Sequence, residues 1–260
     1  FDLPPWAKLL GQIAAAVVVV AFGLKVEFIT IPFGTEAYVG WLSVPITILW
    51  IVGVTNAVNL IDGLDGLAGG VSAIATATIF ALSLMMGNVT VALLSAVLLG
   101  SIVGFLFFNF HPAKIFLGDS GALFLGFSLA ALSVLGFKQA TLMSFIVPVF
   151  ILCVPLSDTF FAIVRRVLNK RPISAADKNH LHHCLLAMGL SHRNTVLVIY
   201  GIAAMFALCA VLLSTVAQWV AVIVVAVVLL ALQIGAELIG IVHKTRRPVI
   251  NFVQRLLSLK

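Results

Sequence analysis

The chain has 260 residues, 62% of them hydrophobic and only 9% charged, with a mean hydropathy of +1.22. These values exclude a water-soluble globular domain and place the protein in a bilayer as a single integral domain, residues 1–260. The net charge of +6 does not point to nucleic acid, because the cations flank apolar runs in the positive-inside pattern.

Eight apolar runs are expected to span the membrane: 9–24, 41–58, 66–86, 89–108, 120–136, 141–164, 195–214 and 217–242. With the N-terminus in the cytoplasm, residues 25–40, the Gly87-Asn88 turn, Phe137–Ala140 and the turn near Ser214–Thr215 lie outside. Phe1–Lys8, Asn59–Asp65, Asn109–Asp119, Arg165–Asn194 and His243–Lys260 lie inside. Of 15 Lys and Arg, 13 then fall inside, leaving Lys25 and Lys138 outside; all six histidines are also inside, as are six of the nine acids when Asp158, which closes the sixth span, is counted with them. The reverse orientation inverts that distribution. The fold class is thus all-α and integral to the membrane, a polytopic bundle of about eight transmembrane helices. The outer segment 25–40 alternates like a short extracellular strand pair with a turn at Pro32–Thr35. Pro45, Pro148 and Pro155 fall within spans, where neighbouring helices can satisfy the freed carbonyls. Gly69, Gly70, Ser72, Ala73 and Ala75 suit close helix contact. Cys153, Cys184 and Cys209 are widely spaced and read as packing residues, and no secretory leader is read at Phe1.

Three inner segments carry chemistry. The first, after the second span, holds Asn59, Asp62 and Asp65, with Gly63 and Gly66 permitting tight turns. On a helical turn Asp62 and Asp65 share a face, and carboxylates at a membrane surface call for a cation or a hydrogen-bonded partner. The alternative is a solvated loop of turn residues. The second segment holds Asn109, Lys114, Phe116 and Asp119, with Asp119 at the start of the fifth span. Asp119 is equally readable as an ordinary N-cap and as part of a metal-bridged phosphate site at a helix N-terminus. The third holds His180, His182 and His183, able to bind metal, phosphate or a sugar. On a helix His180 and His183 share a face, a poor zinc cage, so recognition of a polar ligand is favoured. Asp158 and Arg165, two turns apart on the sixth span, share a face. Hard carboxylate oxygens select Mg²⁺, which takes substrate phosphates as further ligands, so the inner face reads as a site of Mg²⁺-assisted phosphoryl transfer to a membrane-borne acceptor.

Three strings resemble the polyprenyl-phosphate N-acetylhexosamine-1-phosphate transferases: NAVNLIDGLDGLAGG (56–70), NFHPAKIFLGDSG (109–121) and PISAADKNHLHHCLLAMGLSHRNTV (172–196). The His-x-His-His pattern at 180–183 is similar to the branch that uses UDP-N-acetylglucosamine, whereas the muramoyl-pentapeptide branch typically has three consecutive histidines. Among bacterial enzymes, the similarity is to those that initiate wall teichoic acid or related envelope polysaccharides. The resemblance implies transfer of GlcNAc-1-phosphate from UDP-GlcNAc to undecaprenyl phosphate, giving undecaprenyl-diphospho-GlcNAc and UMP. It also implies a multi-pass cell-membrane protein whose active site faces the cytoplasm, with Mg²⁺ as cofactor (Mn²⁺ as a substitute) and no nucleic-acid partner; a homodimer is compatible with it. By the same resemblance Asp119 ligates the metal, and Asp62 is an active-site acid near metal and phosphates. Asp65 and Phe116 hold the uridine, Phe116 by stacking. Asn59, Asn109 and Lys114 line the nucleotide and pyrophosphate pocket, and His180, His182 and His183 contact the sugar-phosphate side. Asp2 matches the last aspartate of an upstream Asp-Asp-x-x-Asp motif, a candidate catalytic residue, which makes the chain a fragment of an enzyme of about eleven spans. Two rivals are the pentapeptide-transferring branch and an ion-coupled transporter; Glu237, the one acid plainly within a span, is explained by pairing with a neighbouring helix.

Overall fold

The structure, a computed structural model, describes residues 4–30, 36–137, 146–170, 172, 179–215 and 218–239. Asp2, the Pro32–Thr35 turn, Lys138, Asp177 and the segment His243–Lys260 lie outside the described residues. In chain order the elements are α1 (Pro5–Ala21), β1 (Phe28–Thr30), β2 (Glu36–Tyr38), α2 (Ser43–Leu60), α3 (Leu67–Met85), α4 (Val89–Asn109), α5 (Gly118–Phe137), α6 (Ile146–Ile151), α7 (Cys153–Leu168), α8 (Leu181–Ala187), α9 (His192–Thr215) and α10 (Gln218–Ile239). A 3₁₀ turn, Gly40–Leu42, leads into α2.

Among the described residues, five helices are long and apolar enough to cross a membrane: α3, α4, α9, Gly40–Leu60 through α2, and Gly118–Gly136 of α5. Within α1 and α10, Pro5–Ala21 and Val222–Gly235 are apolar but shorter. The chain is therefore a polytopic helical membrane protein. Phe107, Leu49 and Val97 are largely exposed, which is unremarkable when the surrounding medium is lipid.

The expected sixth span, 141–164, is not one continuous helix. It breaks at Leu152 into α6 and α7, and α7 runs on to Leu168. Pro155 has no N–H to offer the Ile151 carbonyl and its ring crowds that position, which accounts for the break.

Helix α3 packs against α4, α5 and α9, and α2 packs against α1, α5 and α7. Ile51, Val54, Leu67, Ile79, Leu129 and Phe206 are buried at these seams. Gly126 on α5 lies so close to α2 that a Cβ there would stand 2.7 Å from Thr55 Cα. Trp50 of α2 donates to Ser133 of α5 at 3.1 Å. The hydroxyls of Thr47, Thr55, Thr76 and Thr78 donate to carbonyls one turn earlier in their own helices, so these groups are satisfied without water. Strands β1 and β2 pair antiparallel with Ile29 opposite Ala37.

Candidate active site

The C-terminal ends of α2 and α4 meet the N-terminal ends of α1, α3, α5, α8 and α9 at one end of the bundle. Gly66, at φ +79, turns the chain from α2 into α3. Its N–H donates to Asn109 Oδ1 at 3.1 Å, and its carbonyl accepts from the Tyr200 hydroxyl of α9. Asn109 also donates to the Ile115 carbonyl at 2.9 Å and is buried. The amide of Asn109 thus fastens the 61–66 turn to the 110–117 loop. Both ends of the amide are occupied by backbone, a bracing role that the sequence expectation of a pocket-lining residue does not include.

Within this frame two polar clusters form. In the first, Asp119, in the opening turn of α5, accepts from Lys8 of α1 through Oδ2 and from Asn59 of α2 through Oδ1, the latter at 3.3 Å. Asp62 stands beside it, half-buried. Its burial, and secondly the charge of Asp119, push the Asp62 carboxyl up to about 6. In the second cluster, Asp65 Oδ2 receives His111 Nδ1 at 2.9 Å and the Ala113 N–H at 3.2 Å. The hydrogen bond from His111 is the main reason its carboxyl is held below the usual carboxylate range. His111 in turn stacks on His192 at the start of α9, with centroids 4.2 Å apart. Asp62 and Asp65 therefore do not share one helical face; residues 61–66 are a turn that sends them to different partners.

The histidines also differ from expectation. His180 precedes α8 in extended backbone, so it does not share a helical face with His183. His180 and His182 are 5% and 3% exposed, and only His183 faces outward. Burial first, then the neighbouring His183, push the His182 imidazole down to about 4, leaving it neutral near pH 7. Lys114 and Phe116 are exposed on the 110–117 loop, with Phe116 at 77%. Lys8, His111, His192 and Tyr200 went unassigned to the site in the sequence. Lys8, the single cation of the first helix, carries the clearest retrospective signal.

Among the described residues, two groups of side chains could hold a cation. Donor atoms of Asp65, His111 and His192 lie within 4.8 Å of one another. The two rings, however, are 18° from parallel, so their in-plane lone pairs run side by side, and Asp65 Oδ2 is already engaged. Asp62 and Asp119 fit a hard divalent ion better: two carboxylates stand close enough to couple, and the Lys8 ammonium on Asp119 marks a point where positive charge is already held and which an ion would have to displace. Next to this end, an apolar cavity of about 350 Å³ opens between α7, α9 and α10, walled by Val154, Phe161, Phe206, Val228 and Leu232, with Asp158 at its edge.

Residues 1–137 match the family described as glycosyl transferase family 4. The chain is 49% identical over 260 residues to the probable undecaprenyl-phosphate N-acetylglucosaminyl 1-phosphate transferase of Bacillus subtilis (strain 168), covering 99% of this chain and 73% of that protein. It is 38% identical over 223 residues to the decaprenyl-phosphate N-acetylglucosaminephosphotransferase of Mycobacterium leprae (strain TN), covering 77% of this chain but 56% of the relative. Against the phospho-N-acetylmuramoyl-pentapeptide-transferase of Halalkalibacterium halodurans it is 36% identical over 213 residues, covering 80% of this chain and 63% of the relative. An acidic, cation-ready end on a membrane bundle, together with identity that runs almost the full length of the chain, leads to one conclusion: the chain belongs to glycosyl transferase family 4 and is a transferase.

Proposed function

We propose that this protein transfers GlcNAc-1-phosphate from UDP-GlcNAc to undecaprenyl phosphate, yielding undecaprenyl-diphospho-GlcNAc and UMP, as the first membrane step in building an envelope polysaccharide of the teichoic-acid kind. The observation that carries this reading is the convergence of Lys8 from α1, Asn59 from α2, Asp62 from the turn after it and Asp119 from α5 at one end of the bundle. The names of the B. subtilis and mycobacterial relatives support the lipid acceptor and the amino sugar. The whole forms one transferase domain, with that end facing the cytoplasm, where UDP-sugars are available.

Asp119 and Asp62 would hold Mg²⁺ through carboxylate oxygens. When bound, the ion neutralises the donor diphosphate so that an anionic acceptor oxygen can approach phosphorus. Asn59 holds Asp119 Oδ1 in place. Lys8, which pairs with Asp119, would add positive charge for the same phosphates. The exposed ring of Phe116 offers a stacking face for uracil, Asp65 would hold the same nucleoside by its carboxylate, and Lys114 adds positive charge to the loop. The apolar cavity between α7, α9 and α10 suits the polyprenyl chain, leaving its phosphate at the acidic end. The acceptor phosphate is largely ionised near pH 7, so the barrier is governed by positioning and charge rather than by a strong base.

Asp119→Asn in the intact protein is expected to abolish UMP release from UDP-GlcNAc and undecaprenyl phosphate at every Mg²⁺ concentration, without loss of fold. Near-normal turnover would overturn the proposal. Turnover of the wild type with UDP-MurNAc-pentapeptide in place of UDP-GlcNAc would assign it to the other branch.

A further inference from the structure

A buried acid outside the two clusters has no role in the reaction described above. Asp158, on α7, is 4% exposed. Its Oδ2 lies 2.8 Å from His180 Nδ1, and its Oδ1 accepts the Leu181 N–H at 2.8 Å. Both carboxylate oxygens thus hold one two-residue segment, the entry to α8. A hydrogen bond from Nδ1 to the carboxylate fixes the tautomer and the orientation of the His180 ring.

From there the contacts lead toward the site. The His180 ring stacks on His182 with centroids 6.0 Å apart and planes 5° from parallel. His182 presses against the turn that carries Asp62: a Cβ on Gly63 would stand 2.5 Å from His182 Nε2. That nitrogen is buried and finds no hydrogen-bond partner among the described residues, so its contact with the turn is steric. The space enclosed by Ile61, Asp158, Leu181 and His182 is a cavity of only about 10 Å³. A void of that size leaves little room for water or for a shift of the ring.

We infer that Asp158 is a positioning residue of the transferase site: through the His180–His182 stack it sets the Gly63 turn, and with it the place of the Asp62 carboxylate opposite Asp119. This rests on the proposed function only in taking Asp62 and Asp119 as the seat of the cation. It assigns the two buried histidines a supporting role and leaves His183 as the member of the cluster that faces outward. In Asp158→Asn one of the two donors, His180 Nδ1 or the Leu181 N–H, faces the amide Nδ2 in place of an acceptor, so the entry to α8 loosens and the stack on His182 with it. Gly63→Ala disturbs the same chain of contacts from its other end.

The test uses the intact protein in detergent, with two readouts. Mn²⁺ binding is followed by electron paramagnetic resonance, and UMP release is measured as kcat and KM. Asp158→Asn and Gly63→Ala are each expected to weaken Mn²⁺ binding and to lower kcat by about tenfold or more, with KM for the UDP-sugar moving less than threefold. Because both act on one element, the double variant should lose no more than the worse single variant. Wild-type Mn²⁺ binding and kcat in Asp158→Asn, or losses that multiply in the double variant, overturn the inference. Should Asp158→Asn fail to fold, His182→Ala decides instead, since it relaxes Gly63 while leaving the buried acid paired; an unchanged kcat and Mn²⁺ affinity there overturns it equally. A wild type that binds Mn²⁺ in an Asp158-dependent way but releases no UMP sinks the proposed function and not the positioning role.

Discussion

Asp62 and Asp119 are both carboxylates at the same site, yet their surroundings divide the work. Asp119 is tied down by Lys8 and Asn59, whereas Asp62 is half-buried beside a like charge and holds its proton up to about pH 6. A metal that uses Asp62 must displace that proton. Apparent Mg²⁺ affinity is therefore expected to fall about tenfold per pH unit below about 6 and to level off above it, measurable as the Mg²⁺ dependence of turnover across a pH series. In the metal-free protein the sign is opposite. A carboxyl raised from 3.8 to about 6 favours the fold while protonated, and that contribution is lost as pH rises through 6. Asp62→Asn should accordingly raise the thermal midpoint of the metal-free protein above pH 6 while removing activity; a lowered midpoint would argue against the coupling to Asp119. The acids themselves could be picked out in the sequence because charge is so scarce in this chain. The partnership of Lys8 with Asp119 could not, since the two are 111 residues apart and the packing of α1 on α2, and of α2 on α5, joins them. The burial of His180, His182 and Asn109 was not legible for a related reason: a polar side chain in a loop motif suggests exposure, and burial is decided by what lies over it.

Helix boundaries followed local chemistry well. Gly87 takes φ +69 after α3, and the Asn88 side chain accepts the Val91 N–H at 3.2 Å to cap α4, as a Gly-Asn turn between two apolar runs suggests. The break between α6 and α7 could have been found from Pro155, but hydropathy alone runs smoothly across it. Contacts between helices were legible only as a tendency toward small residues. Gly70 meets Tyr200 so closely that a Cβ would fall 1.9 Å from the ring, while Gly126 meets the α2 backbone itself. A tyrosine ring can swing aside; a backbone cannot. Gly126→Ala should therefore cost about 1–3 kcal/mol by forcing α5 away from α2, read as a lower unfolding temperature in detergent. Tyr200→Phe leaves the Gly66 carbonyl without that donor and should cost about 1 kcal/mol, with the loss showing as a looser 61–66 turn in hydrogen exchange. Glu237 accepts from Gln233 one turn earlier at 3.1 Å, so a partner within its own helix supports this buried acid.

For the molecule as a whole, the distribution of cations is the basis of the proposed orientation, and the structure adds that Lys8, Asn59, Asp65, His111 and His192 gather at one end. In a variant lacking Cys153, Cys184 and Cys209, a cysteine at Asn88 should react with an impermeant maleimide applied outside cells. One at Pro112 should react only after permeabilisation; the reverse pattern would turn the protein over in the membrane. Membership of the bilayer, the order of the apolar runs and the candidate acids were all readable from composition and spacing, because the cost of placing a charge in hydrocarbon acts on each residue wherever its neighbours lie. The rotation of each helix about its axis, the descent of His180 and His182 into the interior and the meeting of Lys8 with Asp119 were not. They depend on surfaces far apart in the chain fitting together, and close packing admits few such fits.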